Sequence, residues 1–187
     1  MLAAGRGSRL GGDASKPLLE WRGRPLVAWA VDAALDSGLR PVLAVVGYRG
    51  DEVRAALTGL DVLVVDNPEW EEGIASSLRA VLSTLIPRAD VDAVCVGLAD
   101  RPRVSAEAYR RVAATSGELV VPTYAGQPGN PVKLARSLWL EALELRGDVG
   151  ARALARDRAV RIDCTGTGSA ADVDTLEDLE RLQQEDQ

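Results

Sequence analysis

The chain has 187 residues, 47% of them apolar and 27% charged, with a formal charge of −6 and a pI near 4.8. That length fits one domain able to bury a core unaided, and the acidic balance argues against a nucleic-acid partner. There is no histidine, which excludes a Ser-His-Asp triad, a histidine general base and a histidine-ligated metal; chemistry must use carboxylates, lysine, arginine or a hard metal held through oxygen. Cys95 and Cys164 lack CxxC spacing and sit among apolar residues, so they read as buried thiols rather than a disulfide or a zinc site. No apolar run reaches bilayer length and no signal peptide is visible, so no membrane partner and a cytoplasmic, reducing location are expected.

The first nineteen residues read MLAAGRGSRLGGDASKPLL. Gly5, Gly7, Gly11 and Gly12 let backbone N–H groups approach a ligand closely, and Arg6, Arg9 and Lys16 add the charge that selects polyphosphate. Leu10 stands where a dinucleotide loop has its third glycine, and Asp13 stands where a Walker A loop has its lysine, so neither of those loops is present. Pro25 then suits a helix start, and Leu26, Ala30, Ala33 and Ala34 give a helical stripe ending near Gly38.

Strands are expected at 41–47 and 61–66, with a short helix at 51–58 between them. Asn67 and Pro68 break the chain into a loop carrying Trp70 and Gly73, and residues 74–85 read as a helix with Ser76 and Ser77 in its first turn. The most apolar strand, 91–100, suits a central position. Ser105 can cap a helix running to about 116. A strand at 118–124, a Gly/Pro turn at 126–132 and a further short strand follow. Helices are expected around 137–146 and 149–156, a last strand at 158–163 and a closing helix at 175–185. Strands alternating with helices predict a three-layer αβα sandwich around a mostly parallel, Rossmann-like sheet, as one domain over residues 1–187.

Six stretches carry a resemblance: the opening LAAG-x-G-x-R followed by Lys-Pro-Leu, NPEWEEGIASSL (67–78), GLADRP (97–102), GNPV (129–132), GDVGARAL (147–154) and DVDTLEDL (172–179). Together they resemble the MobA-like NTP transferases, and among these the molybdenum cofactor cytidylyltransferases. The resemblance implies transfer of NMP from an NTP to a phosphorylated small-molecule acceptor, with Mg²⁺ as cofactor and pyrophosphate as product. The LAAG form resembles the cytidine users, which favours CTP with molybdopterin. A sugar-phosphate or other alcohol-phosphate transferase, and a nucleotide-binding module without turnover, remain as alternatives. The family has several apolar residues before its LAAG, where this sequence has Met1 and little else; either the first strand is short or the start is internal to the natural chain.

For the nucleotide, the resemblance implies a loop of Leu2, Ala3, Ala4, Gly5, Arg6 and Gly7, with Lys16 and Arg9 on the phosphates. Six residues separate Arg9 from Lys16, more than is usual in the cytidylyltransferases. Asp100 ends an apolar strand, where open α/β sheets place their ligands. A carboxylate there can hold Mg²⁺ or simply cap a turn, and the family's aspartate is a metal ligand. The resemblance makes Asp174 a second metal carboxylate, while Asp172, Asp174 and Thr175 could equally cap the closing helix. Gly73, Ser76 and Ser77 offer donors to base or ribose, or an ordinary cap. Asn130 stands where the cytidylyltransferases carry histidine, so acceptor recognition is expected to differ there. Asp148 and Arg152 face the acceptor or form an i,i+4 pair. Trp21, Trp29 and Trp139 read as packing residues.

Overall fold

The computed structural model describes residues 1–7, 14–155, 158–169 and 171–184. Its strands are β1 (Leu2–Ala3), β2 (Glu20–Trp21), β3 (Arg24–Pro25), β4 (Leu43–Val46), β5 (Leu63–Asp66), β6 (Ala93–Val96), β7 (Leu119–Tyr124), β8 (Gln127–Pro128), β9 (Val132–Ala135) and β10 (Ala159–Asp163). The helices are α1 (Leu26–Asp36), α2 (Gly50–Ala56), α3 (Ile74–Leu85), α4 (Ala106–Ala114), α5 (Trp139–Leu143) and α6 (Leu176–Gln184). Among the described residues, no helix is long and apolar enough to cross a membrane.

One half of the sheet runs β1-β4-β5, all parallel, and the other runs β10-β7-β9-β6. Leu2 joins them. Its N–H donates to the Gly97 carbonyl oxygen at 2.9 Å and its carbonyl accepts from the Ala99 N–H at 3.1 Å, a parallel bridge from β1 to the end of β6. β6 therefore sits in the middle, as its apolar run predicts. β7 and β10 are parallel, but β9 runs antiparallel to both β6 and β7, so the sheet is largely rather than wholly parallel.

Side chains alternate strictly across this sheet, as the two-residue period of a strand requires. Ala3, Ala44, Val46 and Val120 pack on one face with Val27, Val31, Val53 and Val112, from α1, α2 and α4. Leu2, Leu43, Val45, Leu119 and Val121 pack on the other with Leu78, Leu82 and Trp139, from α3 and α5. Two helical layers thus cover one sheet, giving the three-layer sandwich. Leu78 and Leu82 are wholly buried; truncating either to alanine costs about 2–5 kcal/mol.

Two differences from the sequence reading have local causes. Where a helix is expected over 149–156, the described residues form a 3-10 turn, Ala151–Leu154, in place of an α-helix, after Gly150 enters in extended backbone. The β2–β3 hairpin was not foreseen; its two-residue strands are too short for a periodic signal. It matters because Trp21 and Leu26 pack with Val173 and Leu182, which fastens the closing segment to the body. Cys95 and Cys164 are free thiols, and Trp139 is buried, its Nε1 donating to the Leu134 carbonyl oxygen at 3.2 Å.

Candidate active site

At the carboxyl ends of β1 and β6 lies a cavity of about 470 Å³. Leu2, Ala3, Ala4, Gly5, Arg6 and Gly7 form one wall. β1 ends after Ala3, and its Ala4 carbonyl oxygen accepts the Tyr48 N–H at 2.9 Å, which holds the start of the glycine loop against the end of β4. The Arg6 guanidinium lies 5.4 Å over the Tyr48 ring, which in turn packs on Trp70 at 5.2 Å between centroids. Trp70 lines the same cavity, with Tyr48 packed against it. Arg9 lies outside the described residues.

Lys16 starts a 3-10 turn, Lys16–Leu18, in which the Leu19 N–H donates to the Lys16 carbonyl oxygen at 3.1 Å. Its stem runs beside Gly7, where an added Cβ would meet the Lys16 Cγ at 2.5 Å. Gly7 also has a φ of +73°, so glycine serves there both conformation and clearance. From this start the lysine reaches the carboxylates. Its Nζ donates to Asp174 Oδ1 and lies 3.8 Å from Asp100 Oδ2.

Asp174 is brought there by the backbone. The Val173 N–H donates to the Asp100 carbonyl oxygen at 2.9 Å, clasping the last loop against the end of β6. Capping of α6 does not involve the Asp174 side chain. Asp178 Oδ2 accepts the Thr175 N–H at 2.9 Å and Thr175 Oγ1 accepts the Asp178 N–H at 3.1 Å, a reciprocal cap one residue further on. The Asp174 carboxylate is thereby turned to the cavity. Asp172 also lines it and pairs with Arg101 at 3.3 Å.

Burial pushes the Asp100 carboxyl above the ordinary carboxylate range, and the nearby Lys16 and Arg101 charges pull it back. Its Oδ1 is buried and has no hydrogen-bond donor among the described residues. A buried anionic oxygen without a donor is costly, and a cation is the usual compensation. Asp100 and Asp174 thus fit a hard divalent ion. Among the described residues no group of three or more histidine, cysteine, aspartate or glutamate side chains gathers to hold a metal. Mg²⁺ suits such a sparse site, since it is commonly held by one or two carboxylates with substrate phosphates and waters completing the shell.

The opposite wall is built by α3. Gly73, Ile74 and Ser77 line the cavity. Ser76 does not: its hydroxyl donates to the Gly73 carbonyl oxygen at 2.8 Å and accepts from Asn67 Nδ2 at 2.8 Å, facing inward. Asn67, which also donates to Ser77 Oγ at 3.1 Å, is the positioning residue that sequence reasoning missed; its place before Pro68 marked only a turn. Gly73 has a φ of +107° and would put a Cβ 2.6 Å from the Gly147 carbonyl. That close approach, with the Ala75 N–H donating to the Gly147 carbonyl oxygen at 3.1 Å, sets Asp148 beside the helix start.

Asp148 stands where this cavity meets a second one of about 410 Å³, lined by Leu78, Val96, Asn130, Val132 and Arg152 among others. Asn130 is held by Nδ2 donating to the Val96 carbonyl oxygen at 3.2 Å, while its carbonyl accepts from the Tyr124 hydroxyl at 2.7 Å. Arg152 donates to the Pro128 carbonyl oxygen at 3.4 Å and makes no ion pair with Asp148. The two residues expected at the acceptor, Asn130 and Asp148, therefore share one chamber, and Asp148 alone of the two reaches the first cavity.

Residues 1–162 match the MobA-like NTP transferase domain, so Asp174 lies beyond the matched span. A curated relative, nicotine blue oxidoreductase of Paenarthrobacter nicotinovorans, is 31% identical over 97% of this chain and 94% of its own length. Among solved structures, Rv0371c of Mycobacterium tuberculosis H37Rv is 33% identical with a TM-score of 0.77, covering 98% of this chain and 95% of that one. A manganese complex of Rv0371c is similar at a TM-score of 0.76 and 30% identity, with the same coverage. A nucleotidyl transferase from Methanothermobacter thermautotroptrophicus is 25% identical with a TM-score of 0.83, covering 98% of this chain and 94% of that one. With the domain match spanning most of its length and a fold shared with solved nucleotidyltransferases, this chain belongs to the MobA-like NTP transferase family.

Proposed function

We propose that the protein transfers CMP from CTP to a phosphorylated small-molecule acceptor, with molybdopterin the favoured acceptor and Mg²⁺ the cofactor. The observation that carries this reading is the Asp100–Lys16–Asp174 cluster at the foot of a cavity walled by the glycine loop. Leu2 to Gly7 cradle the nucleotide, and Lys16, with Arg9, steadies its phosphates. Asp100 and Asp174 hold the divalent ion, which supplies neutralising charge to the triphosphate when bound. Gly73 and Ser77 face the base or ribose. Asp148 and Asn130 place the acceptor in the adjoining chamber.

The acceptor's phosphate oxygen attacks the α-phosphorus, one P–O bond forms, and the bond to the β-phosphate breaks with release of pyrophosphate. The attacking oxygen is already anionic, so no general base is required, and positioning with charge stabilisation does the catalysis. A solved relative, Rv0371c, is found in complex with manganese, which supports a divalent ion here. A sugar-phosphate acceptor is the neighbouring possibility within the same chemistry.

A second reading comes from the relative named as an oxidoreductase. The glycine loop lacks the dinucleotide pattern, which weighs against it. The test measures pyrophosphate release and NAD(P)H oxidation side by side, using CTP, GTP, UTP or ATP with Mg²⁺ and a panel of phosphorylated acceptors. Pyrophosphate released with CTP and a molybdopterin acceptor supports the proposal. Oxidation of NAD(P)H without pyrophosphate favours the second reading, and nucleotide-dependent thermal shifts with neither reaction would leave a binding module.

A further inference from the structure

Lys16 occupies the position between the two carboxylates that a divalent ion needs. Its Nζ donates to Asp174 Oδ1 and stands 3.8 Å from Asp100 Oδ2, with only 14% of its side chain exposed. The lysine is held by design of the chain around it: Lys16–Leu18 fixes its backbone, and Gly7 packs on its stem. Yet the cluster is incompletely satisfied. Asp100 Oδ1 is buried with no donor among the described residues, and 3.8 Å is beyond hydrogen-bond reach for Nζ. Two cations side by side against one carboxylate pair repel strongly where water is excluded. Among the described residues no group of three or more metal-ligating side chains gathers to hold an ion elsewhere.

We propose that Lys16 and the divalent ion compete for Asp100 and Asp174, so that the protein takes up metal only with a polyphosphate that draws the lysine away. This rests on the nucleotidyltransferase reading above and adds an order of events to it. The free protein keeps its carboxylates neutralised by its own lysine and binds free metal weakly. An arriving triphosphate offers Lys16 a stronger partner across the 470 Å³ cavity and exchanges the lysine for its accompanying ion. The unsatisfied Asp100 oxygen is the reserve of free energy that favours this exchange.

The experiment is a Mn²⁺ titration of nucleotide-free protein, followed by the electron paramagnetic resonance signal of the free ion. Lys16→Met is expected to bind Mn²⁺ about tenfold or more tightly than the unaltered protein, while Lys16→Arg, which keeps the charge, stays within about threefold of it. Equal or weaker binding by folded Lys16→Met overturns the proposal, and so does a gain in Lys16→Arg as large as in Lys16→Met. Should Lys16→Met fail to fold by circular dichroism, Lys16→Gln is read by the same criteria. The two readings fail separately. Tighter Mn²⁺ binding by Lys16→Met, together with no pyrophosphate release from any NTP by the unaltered protein, keeps the competition and removes the transferase. Pyrophosphate release with unchanged Mn²⁺ affinity does the reverse.

Discussion

Lys16 donates to the carboxylate of Asp174, 158 positions further along the chain. Neither residue could find the other by local structure alone. The Lys16–Leu18 turn sets the origin of the lysine stem, and the Val173–Asp100 backbone bond sets the height of the aspartate. Thr175 and Asp178 form the cap of α6, one residue beyond Asp174. The result is a cation between two part-buried carboxylates at the end of a central strand.

Lys16→Ala tests what that cation does for turnover. Loss of one preorganised charge donor typically lowers kcat by about a hundredfold or more. The fold is expected to survive, because the Lys16 backbone bonds do not involve its side chain. Steady-state rates of pyrophosphate release, with circular dichroism as control, give the answer; an unchanged rate in folded protein removes Lys16 from the mechanism.

The two aspartates are separated from a capping role by three substitutions read together. Asp100→Asn and Asp174→Asn each remove a carboxylate from the proposed metal pair, so both are expected to abolish turnover at ordinary Mg²⁺ concentrations. Thr175→Ala breaks the cap instead, costing about 1 kcal/mol of stability while leaving the Mg²⁺ dependence unaltered. A normal Mg²⁺ dependence in Asp174→Asn would return Asp174 to a structural role.

Gly73→Ala places a methyl 2.6 Å from the Gly147 carbonyl at a φ of +107°. The backbone strain alone is worth about 1–3 kcal/mol, and the collision adds to it. The urea midpoint should fall accordingly. Because Asp148 follows Gly147, activity measured well below the unfolding range should fall too; full stability in this variant contradicts the close packing of α3 on the 147–148 turn.

Burial raises the Cys95 thiol from an ordinary value near 9 to about 11. The native thiol stays protonated at pH 8, so iodoacetamide should modify Cys95 much more slowly in folded than in urea-unfolded protein. Linkage gives the sign for stability. Between about pH 9 and 11 the unfolded chain loses this proton and the folded one keeps it, so the stability contributed by Cys95 declines as pH rises through that window. In Cys95→Ser the decline over the same window should be smaller.

The sequence reading reached the glycine loop, Lys16 and Asp100 because their signals are local: glycine spacing, and a carboxylate ending an apolar run. Continuous apolar runs at 43–46 and 119–121 likewise announced buried strands, and both faces of the sheet use them. Ser76 and Ser77 were indistinguishable, being neighbours in one helical turn, and only the Asn67 amide decides which hydroxyl turns inward. The role of Asp174 was open because a cap and a ligand require the same residue types at the start of a helix. Thr175 and Asp178 form the α6 cap through hydrogen bonds that composition does not encode. The antiparallel direction of β9 was also hidden, since four alternating residues read alike in either sense.

The clasp between Val173 and Asp100 gives the site a place in time. A ribosome delivers the glycine loop and Lys16 before the aspartate that follows β6, and Asp174 after both. Most of both helical layers can pack before the 172–174 segment exists, yet the carboxylate pair cannot. A nascent chain that has emerged only as far as β10 would therefore carry the proposed nucleotide cradle with one carboxylate of the pair, and the cluster would close only when the 172–174 segment follows.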